Sequence, residues 1–207
     1  MAVGVLIESM VRRQLLIGLF PGRKVQAEIK AHCNDWWWPR NCTFPPEERL
    51  HLTLQYLDDL DEASEQRLRA ALAEVAMPPL ELTLDRSCTW PNGVSVVQPA
   101  EHEGLRALHD DLQRALRRAG LVSRLRGWTP HVTIARSNER AARPPCLPPI
   151  RWKAQEFKLV RSHFTRPFRH ELLASYPLQE ETAGATGDSR PVFQKSMTHS
   201  PRTYRYW

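Results

Sequence analysis

Two stretches of the chain alternate side-chain character residue by residue: Leu50-His-Leu-Thr-Leu-Gln-Tyr-Leu57 and Pro130-His-Val-Thr-Ile-Ala-Arg136. Alternation of this kind predicts strands with one apolar and one polar face. Arg13-Gln-Leu-Leu-Ile-Gly-Leu-Phe20 is instead continuously apolar and is stopped by Pro21-Gly22, which predicts a buried strand and a turn. A short helix is expected over 23–32. A second helix follows Asp61, a good N-cap, with Leu68, Leu72 and Val75 on one face and Pro78-Pro79 as its stop. Leu80–Asp85 and Gly93–Gln98 read as strands joined through Pro91-Asn92-Gly93. The clearest helix covers 102–119, where Leu105, Leu108, Leu112 and Leu116 recur at helical spacing and Gly120 sits at a C-terminal cap. Residues 139–150, with two Pro-Pro pairs, read as loop, and strands are expected near 154–163 and 170–178. Strands and helices in this irregular order predict an α+β fold with antiparallel sheets. Neither a Gly-x-Gly-x-x-Gly sequence nor a phosphate-binding P-loop is present, so a nucleotide-binding doubly wound sheet lacks its usual signature.

The two alternating stretches repeat one form, His-apolar-Thr-apolar: His51-Leu52-Thr53-Leu54 and, 80 residues later, His131-Val132-Thr133-Ile134. On a strand each histidine shares a face with its threonine, and the apolar residues anchor the opposite face. A lone His-x-Thr on a strand is commonplace, but two copies in the same apolar frame point to joint work. One imidazole can donate a proton while the other accepts one near neutral pH. The hydroxyls can hydrogen-bond phosphate oxygens without adding negative charge. Arg136 lies five residues after His131, on the wrong face of a regular strand. It joins the site only if the strand ends or bulges near Ala135, and there its planar fork can hold a phosphate oxygen. Such a set suits attack on a phosphodiester with departure of an alkoxide, without metal or cofactor. A zinc site is the other reading of the histidines, but the spacing names no third ligand. His32, His102, His109, His163, His170 and His199 share no repeated frame and are read as surface or packing residues.

Composition narrows the setting. The 207 residues carry a net charge of +6, unevenly spread. Residues 47–111 hold 5 Lys/Arg against 14 Asp/Glu, whereas 112–170 hold 14 against 2. The second half of the chain therefore favours polyanions, although charge alone does not separate a binding surface from a solvated face. No apolar run approaches the ~20 residues of a bilayer span, and the first residues lack a signal-peptide pattern. A cytoplasmic protein without membrane attachment is expected. Cys33, Cys42, Cys88 and Cys146 form no Cys-x-x-Cys pair and read as free thiols. Trp36, Trp37, Trp38, Trp90 and Trp128 are candidates for stacking on unpaired bases, with one or two at most expected to do so, since tryptophan usually packs in or near a core.

The paired motifs resemble the His-x-Thr/Ser-x signatures of the 2H phosphoesterase superfamily. Within it the chain is most similar to the LigT-like RNA 2′,3′-cyclic phosphodiesterases, also called 2′-5′ RNA ligases. Arg13–Phe20 with Pro21, both motif strands, and Phe157-Lys-Leu-Val-Arg-Ser162 through Tyr176-Pro-Leu178 carry the likeness, which spans about residues 13–178. Two departures stand out. Tyr56-Leu57-Asp58 occupies the place of a frequent Phe-Leu-Gly, and the tryptophan-bearing segment 33–48 is long for this loop. The resemblance implies a bilobal fold of two antiparallel sheets related by pseudo-twofold symmetry, with helices outside and a cleft between the motif strands. It implies His131 as general base acting on water and His51 as general acid to the departing 3′ oxygen, with Thr53, Thr133 and Arg136 holding the phosphate. The implied substrate is RNA with a 2′,3′-cyclic phosphate terminus, the implied product a 2′-phosphate end, and the reverse reaction a 2′-5′ ligation. The domain expected is 13–179, as a monomer, with an N-terminal extension 1–12 and a disordered tail over 180–207. Two rival readings remain: a related phosphodiesterase of a small cyclic nucleotide or 2′-5′ oligonucleotide, and a non-catalytic RNA-binding module.

Overall fold

The computed structural model describes residues 13–136, 140–164 and 168–179; the expected extension 1–12 and tail 180–207 lie outside them. Among the described residues the order is β1 (Arg13–Leu19), α1 (Arg23–Asn34), β2 (Leu52–Asp58), α2 (Glu62–Ala73), β3 (Leu80–Thr89), β4 (Ser95–Pro99), α3 (Glu103–Arg118), β5 (Val132–Ala135), β6 (Ile150–Ala154), β7 (Glu156–His163) and β8 (Arg169–Pro177). The caps follow local chemistry. The Asp61 carboxylate accepts the Ser64 N–H at the start of α2. Gly120, at φ +73°, ends α3 while its N–H reaches the Arg117 carbonyl and that of Leu121 reaches Leu116, a six-residue closure that needs a left-handed residue. Strand β6 is the element the sequence reading lacked. It falls between the loop expected over 139–150 and the strand expected near 154–163; its Ile150, Trp152 and Ala154 are buried while Arg151 and Lys153 are exposed, directly after Pro148-Pro149.

All strand neighbours are antiparallel, in the order β6-β3-β4-β5-β2-β1-β7-β8. The two sheets expected from the resemblance are hydrogen-bonded as one. Its halves, β6-β3-β4-β5 and β2-β1-β7-β8, touch through a single pair, Leu52 with Val132. A motif strand is innermost in each half. Leu15, Ile17 and Leu19 of β1, Leu52 of β2 and Val132 of β5 pack with Ile29 of α1, Leu68 and Leu72 of α2, and Leu105, Leu108, Leu112 and Leu116 of α3 in one buried core. Helices therefore cover one side of the sheet, and the other carries the polar halves of both motifs.

Gly18 lets β1 approach the first motif closely. A Cβ there would stand 2.8 Å from the Leu52 carbonyl oxygen, a backbone atom with no room to yield. Gly18→Ala is accordingly expected to cost about 1–3 kcal/mol of stability, the usual penalty for overpacking. Urea denaturation measures it; an unchanged midpoint would mean that the two strands are not so closely opposed.

Candidate active site

Strands β2 and β5 overlap only at their first residues and run away from each other in opposite directions. The antiparallel Leu52–Val132 pair sets His51 across from Thr133 and Thr53 across from His131. Leu52 and Val132 are fully buried toward the helices, so the four polar residues share the other face. Both histidines thus stand one residue before a strand, on a diagonal across the junction.

Each motif is followed by a bulge. The β1–β2 register slips between Ile17 and Gly18, which leaves Leu54 as the extra residue. The β4–β5 register slips between Ser95 and Val96, which leaves Ile134 as the extra residue. Two consecutive residues are then buried in each strand, Leu54 and Gln55 in one and Ile134 and Ala135 in the other. Alternation resumes out of phase, and Tyr56 and Arg136, each five residues after its histidine, return to the open face. Arg136 reaches the site by the condition read from the sequence, since the strand both bulges and ends beside it. Its backbone is held on the loop strand by mutual N–H···O bonds with Thr43, at 2.9 and 3.1 Å.

A cavity of about 520 Å³ lies over this junction and is lined by His51, Thr53, His131, Thr133 and Arg136 together. It is also lined by Arg49, Tyr56, Ser162 and His170, with Phe44, Phe164 and Phe168 among its apolar walls. A larger hollow of about 730 Å³ between Phe20–Gly22, Trp152–Glu156 and Pro177–Gln179 has no histidine, serine, threonine or cysteine among its described lining residues. Chemistry, rather than size, singles out the first.

The two imidazoles are held alike. Nδ1 of His51 lies 2.7 Å from the Arg49 carbonyl, and Nδ1 of His131 lies 2.7 Å from the Thr129 carbonyl. A carbonyl only accepts, so in the neutral ring Nδ1 carries the proton and Nε2 keeps its lone pair. Phe20 stacks on His51 at 5.4 Å, and Trp90 meets the His131 ring at 4.5 Å. Burial lowers the His51 pKa, with the positive charges of His131 and Arg136 adding to it and the Arg49 carbonyl opposing. Burial likewise lowers that of His131, opposed by the Thr129 carbonyl and helped by Arg136. Both shifts favour the neutral rings.

The sequence reads His170 as a surface or packing residue, yet it lines the cavity. Its ring lies edge-on to His51 at 5.7 Å and its Nδ1 is 3.1 Å from the Ser162 hydroxyl. Burial, followed by the neighbouring His51 and Arg49 charges, pushes its pKa down to about 4. Arg49, whose guanidinium stands 4.6 Å over Phe168 and donates to that residue's carbonyl, was also missed. No repeated frame marks either residue; the folding of β7 and β8 beside β1 brings in His170, and Arg49 enters from two residues before His51. His32 and His163 are buried packing residues, His102 caps α3, and His109 stacks on Trp128, as read.

None of the five candidate tryptophans is among the cavity's lining residues; its aromatic walls are phenylalanine and tyrosine. Trp128 donates its indole N–H to the Thr53 carbonyl and so braces the first motif. Trp36 and Trp38 stack in parallel at 4.7 Å, their N–H groups given to His32 Nε2 and the Cys33 carbonyl. The cysteines are unpaired, and burial pushes the Cys33 thiol up to about 12. Among the described residues no group of three or more His, Cys, Asp or Glu could hold a metal ion, and no helix is long and apolar enough to cross a membrane.

The family model of the 2′-5′ RNA ligase superfamily matches residues 22–169. An RNA 2′,3′-cyclic phosphodiesterase of Escherichia coli (strain K12) is 30% identical over 162 residues, covering 72% of this chain and 88% of that protein. The fold resembles a crystal structure of a phosphoesterase, with a TM-score of 0.74 and 23% identity over 81% of this chain and 99% of that one. It also resembles E. coli LigT complexed with 3′-AMP, with a TM-score of 0.72 and 23% identity over 82% and 99% of the two chains.

Proposed function

The chain belongs to the 2′-5′ RNA ligase superfamily, and from that premise we propose that it hydrolyses a 2′,3′-cyclic phosphate at the end of an RNA to a 2′-phosphate. The observation that carries this reading is the matched pair of imidazoles at the strand junction, each tied through Nδ1 to a carbonyl, in a cavity that also holds Arg136. Nε2 of His131 takes a proton from water as the water oxygen bonds to phosphorus. The bond from phosphorus to the 3′ oxygen breaks, and that oxygen takes a proton from Nε2 of His51. Attack and departure lie roughly in line through phosphorus, which calls for a base and an acid on opposite sides of the phosphate. Thr53, Thr133 and Arg136 hold the non-bridging oxygens as charge develops on them.

His51 must be charged to act, although its burial disfavours the charge. The bound phosphodiester anion supplies the compensation, since an opposite charge within a few ångströms favours the imidazolium. Arrival of substrate thus arms the acid. With a 5′-hydroxyl of RNA in the place of the attacking water, His131 takes its proton, the 3′ oxygen leaves with a proton from His51, and a 2′-5′ linkage forms.

The test is incubation with an oligoribonucleotide ending in a 2′,3′-cyclic phosphate, with chelator present and absent, followed by identification of the product isomer. A 2′-phosphate formed at the same rate with or without chelator is expected. A 3′-phosphate would overturn the assigned leaving group, and loss of activity on chelation would favour the zinc reading. Turnover of cyclic mononucleotides alone would favour the small-molecule reading, and tight binding without turnover the RNA-binding module.

A further inference from the structure

The long loop between α1 and β2 runs beside the segment that follows the second motif. Two bridges tie them: Thr43 with Arg136, and Trp37 with Ala142. The first lies at the cavity, where Thr43, Phe44 and Arg136 are all lining residues. The second fixes Trp37 on both sides, its N–H donating to the Ala142 carbonyl at 3.0 Å and its carbonyl accepting the Ala142 N–H at 3.1 Å. Trp36 is 6% exposed, whereas Trp37 is 60% exposed. The loop's other two indoles are committed to each other and to α1. The Trp37 backbone is thus held by the facing segment while most of its indole is left in water.

Charge accompanies it. Arg40 on the same loop and Arg140 and Arg143 on the facing segment are exposed, and none of the three is in an ion pair among the described residues. The acids of this loop are Asp35, at the end of α1, and Glu47 and Glu48, next to β2, and Glu139 precedes Arg140 in the sequence. An aromatic platform interleaved with guanidinium groups, on the same loop and facing segment whose Thr43 and Arg136 line the cavity, suits a single strand of nucleic acid: bases stack on the aromatic face and phosphates meet the cations. With the reacting 3′ end seated at His51 and His131, the rest of the strand must leave past the cavity rim.

We infer that Trp37, Arg40, Arg140 and Arg143 form a track for the unpaired RNA on the 5′ side of the reacting end, which makes an oligoribonucleotide the preferred substrate over a mononucleotide. This inference rests on the function proposed above and deepens it. Trp37 stacks on a base and the three arginines meet the backbone.

The experiment compares a cyclic-phosphate mononucleotide with a hexaribonucleotide of the same 3′ nucleotide. Trp37→Ala is expected to raise KM for the hexamer about 10-fold, the lower range of one lost base stack, with kcat unchanged and the mononucleotide unaffected; Trp37→Phe restores most of the loss. The triple variant Arg40→Ala, Arg140→Ala, Arg143→Ala should flatten the log–log salt dependence of hexamer binding by about 2, as three lost phosphate contacts on a single strand would. An unchanged hexamer KM in Trp37→Ala, or an equal loss on both substrates, overturns the track while leaving the hydrolase standing. Wild-type protein inactive on both substrates overturns the proposed reaction instead. Anisotropy with a labelled hexamer ending in a 2′-phosphate then still decides the track, since Trp37→Ala must weaken that binding.

Discussion

Alanine at either His51 or His131 is expected to lower kcat/KM on a cyclic-phosphate RNA end by about 10³-fold, within the usual range for loss of a positioned general acid or base. Both rings stand at the open face of the sheet, outside the helix-packed core, and each forgoes one bond to a carbonyl. Thermal unfolding of the variants should therefore stay close to that of the parent. The residual rates separate the roles. A base must be neutral, so the rate falls at low pH; an acid must be charged, so the rate falls at high pH. His131→Ala should lose the acid limb of the pH profile and keep the basic one, and His51→Ala should do the reverse. Interchanged limbs would swap the two assignments, and full activity in either variant would remove that histidine from the reaction.

The second large effect belongs to Arg136. Arg136→Gln is expected to cost about 10²-fold in kcat/KM, the order lost with one preorganised charge-stabilising donor. The variant also carries a sign that a merely structural residue would not. Burial together with the Arg136 charge holds both imidazoles below their ordinary pKa. In kcat/KM, which reports the free enzyme, the bell is therefore centred below about pH 6.5. Removing the guanidinium removes a repulsion toward both imidazolium forms, so both pKa values rise and the bell moves to higher pH. Arg136→Lys keeps the charge and loses the planar fork, so it should lose rate with the bell unmoved. Profiles of kcat/KM from pH 4.5 to 9 for the three proteins check this; a bell unmoved in Arg136→Gln would mean that the arginine does not sense the histidines.

Much of the framework is legible in the sequence because it rests on periodicity. The leucine stripe of α3 and the alternation of β2 and β5 each need only a local rule. The carboxylate cap at Asp61 and the glycine at 120 follow from local rules too. What escaped depends on long-range placement or on a broken rule. Strand β6 alternates, but it follows directly on Pro148-Pro149, a signal for loop. The joining of the two halves into one sheet is decided by a single rung at Leu52 and Val132, which no periodicity encodes. His170 enters the cavity because β8 folds beside it, which its own neighbours in sequence do not announce, whereas the place of Arg49 follows from its standing two residues before His51. Tyr56 looked like a departure from family habit; only the register slip explains why it faces the same cavity as Arg136.

Those slips tie counting to geometry. On a regular ladder, residues at even offsets from a histidine share its side, and a partner at offset four would do so unaided. Here each partner sits at the odd offset of five, workable only because Leu54 and Ile134 are surplus to their ladders. Parity and regularity are one constraint written twice: odd with the surplus residue, even without it. A relative one residue shorter at either point describes the same constellation, minus one buried aliphatic side chain, and an alignment gap there marks conserved geometry, not a lost partner.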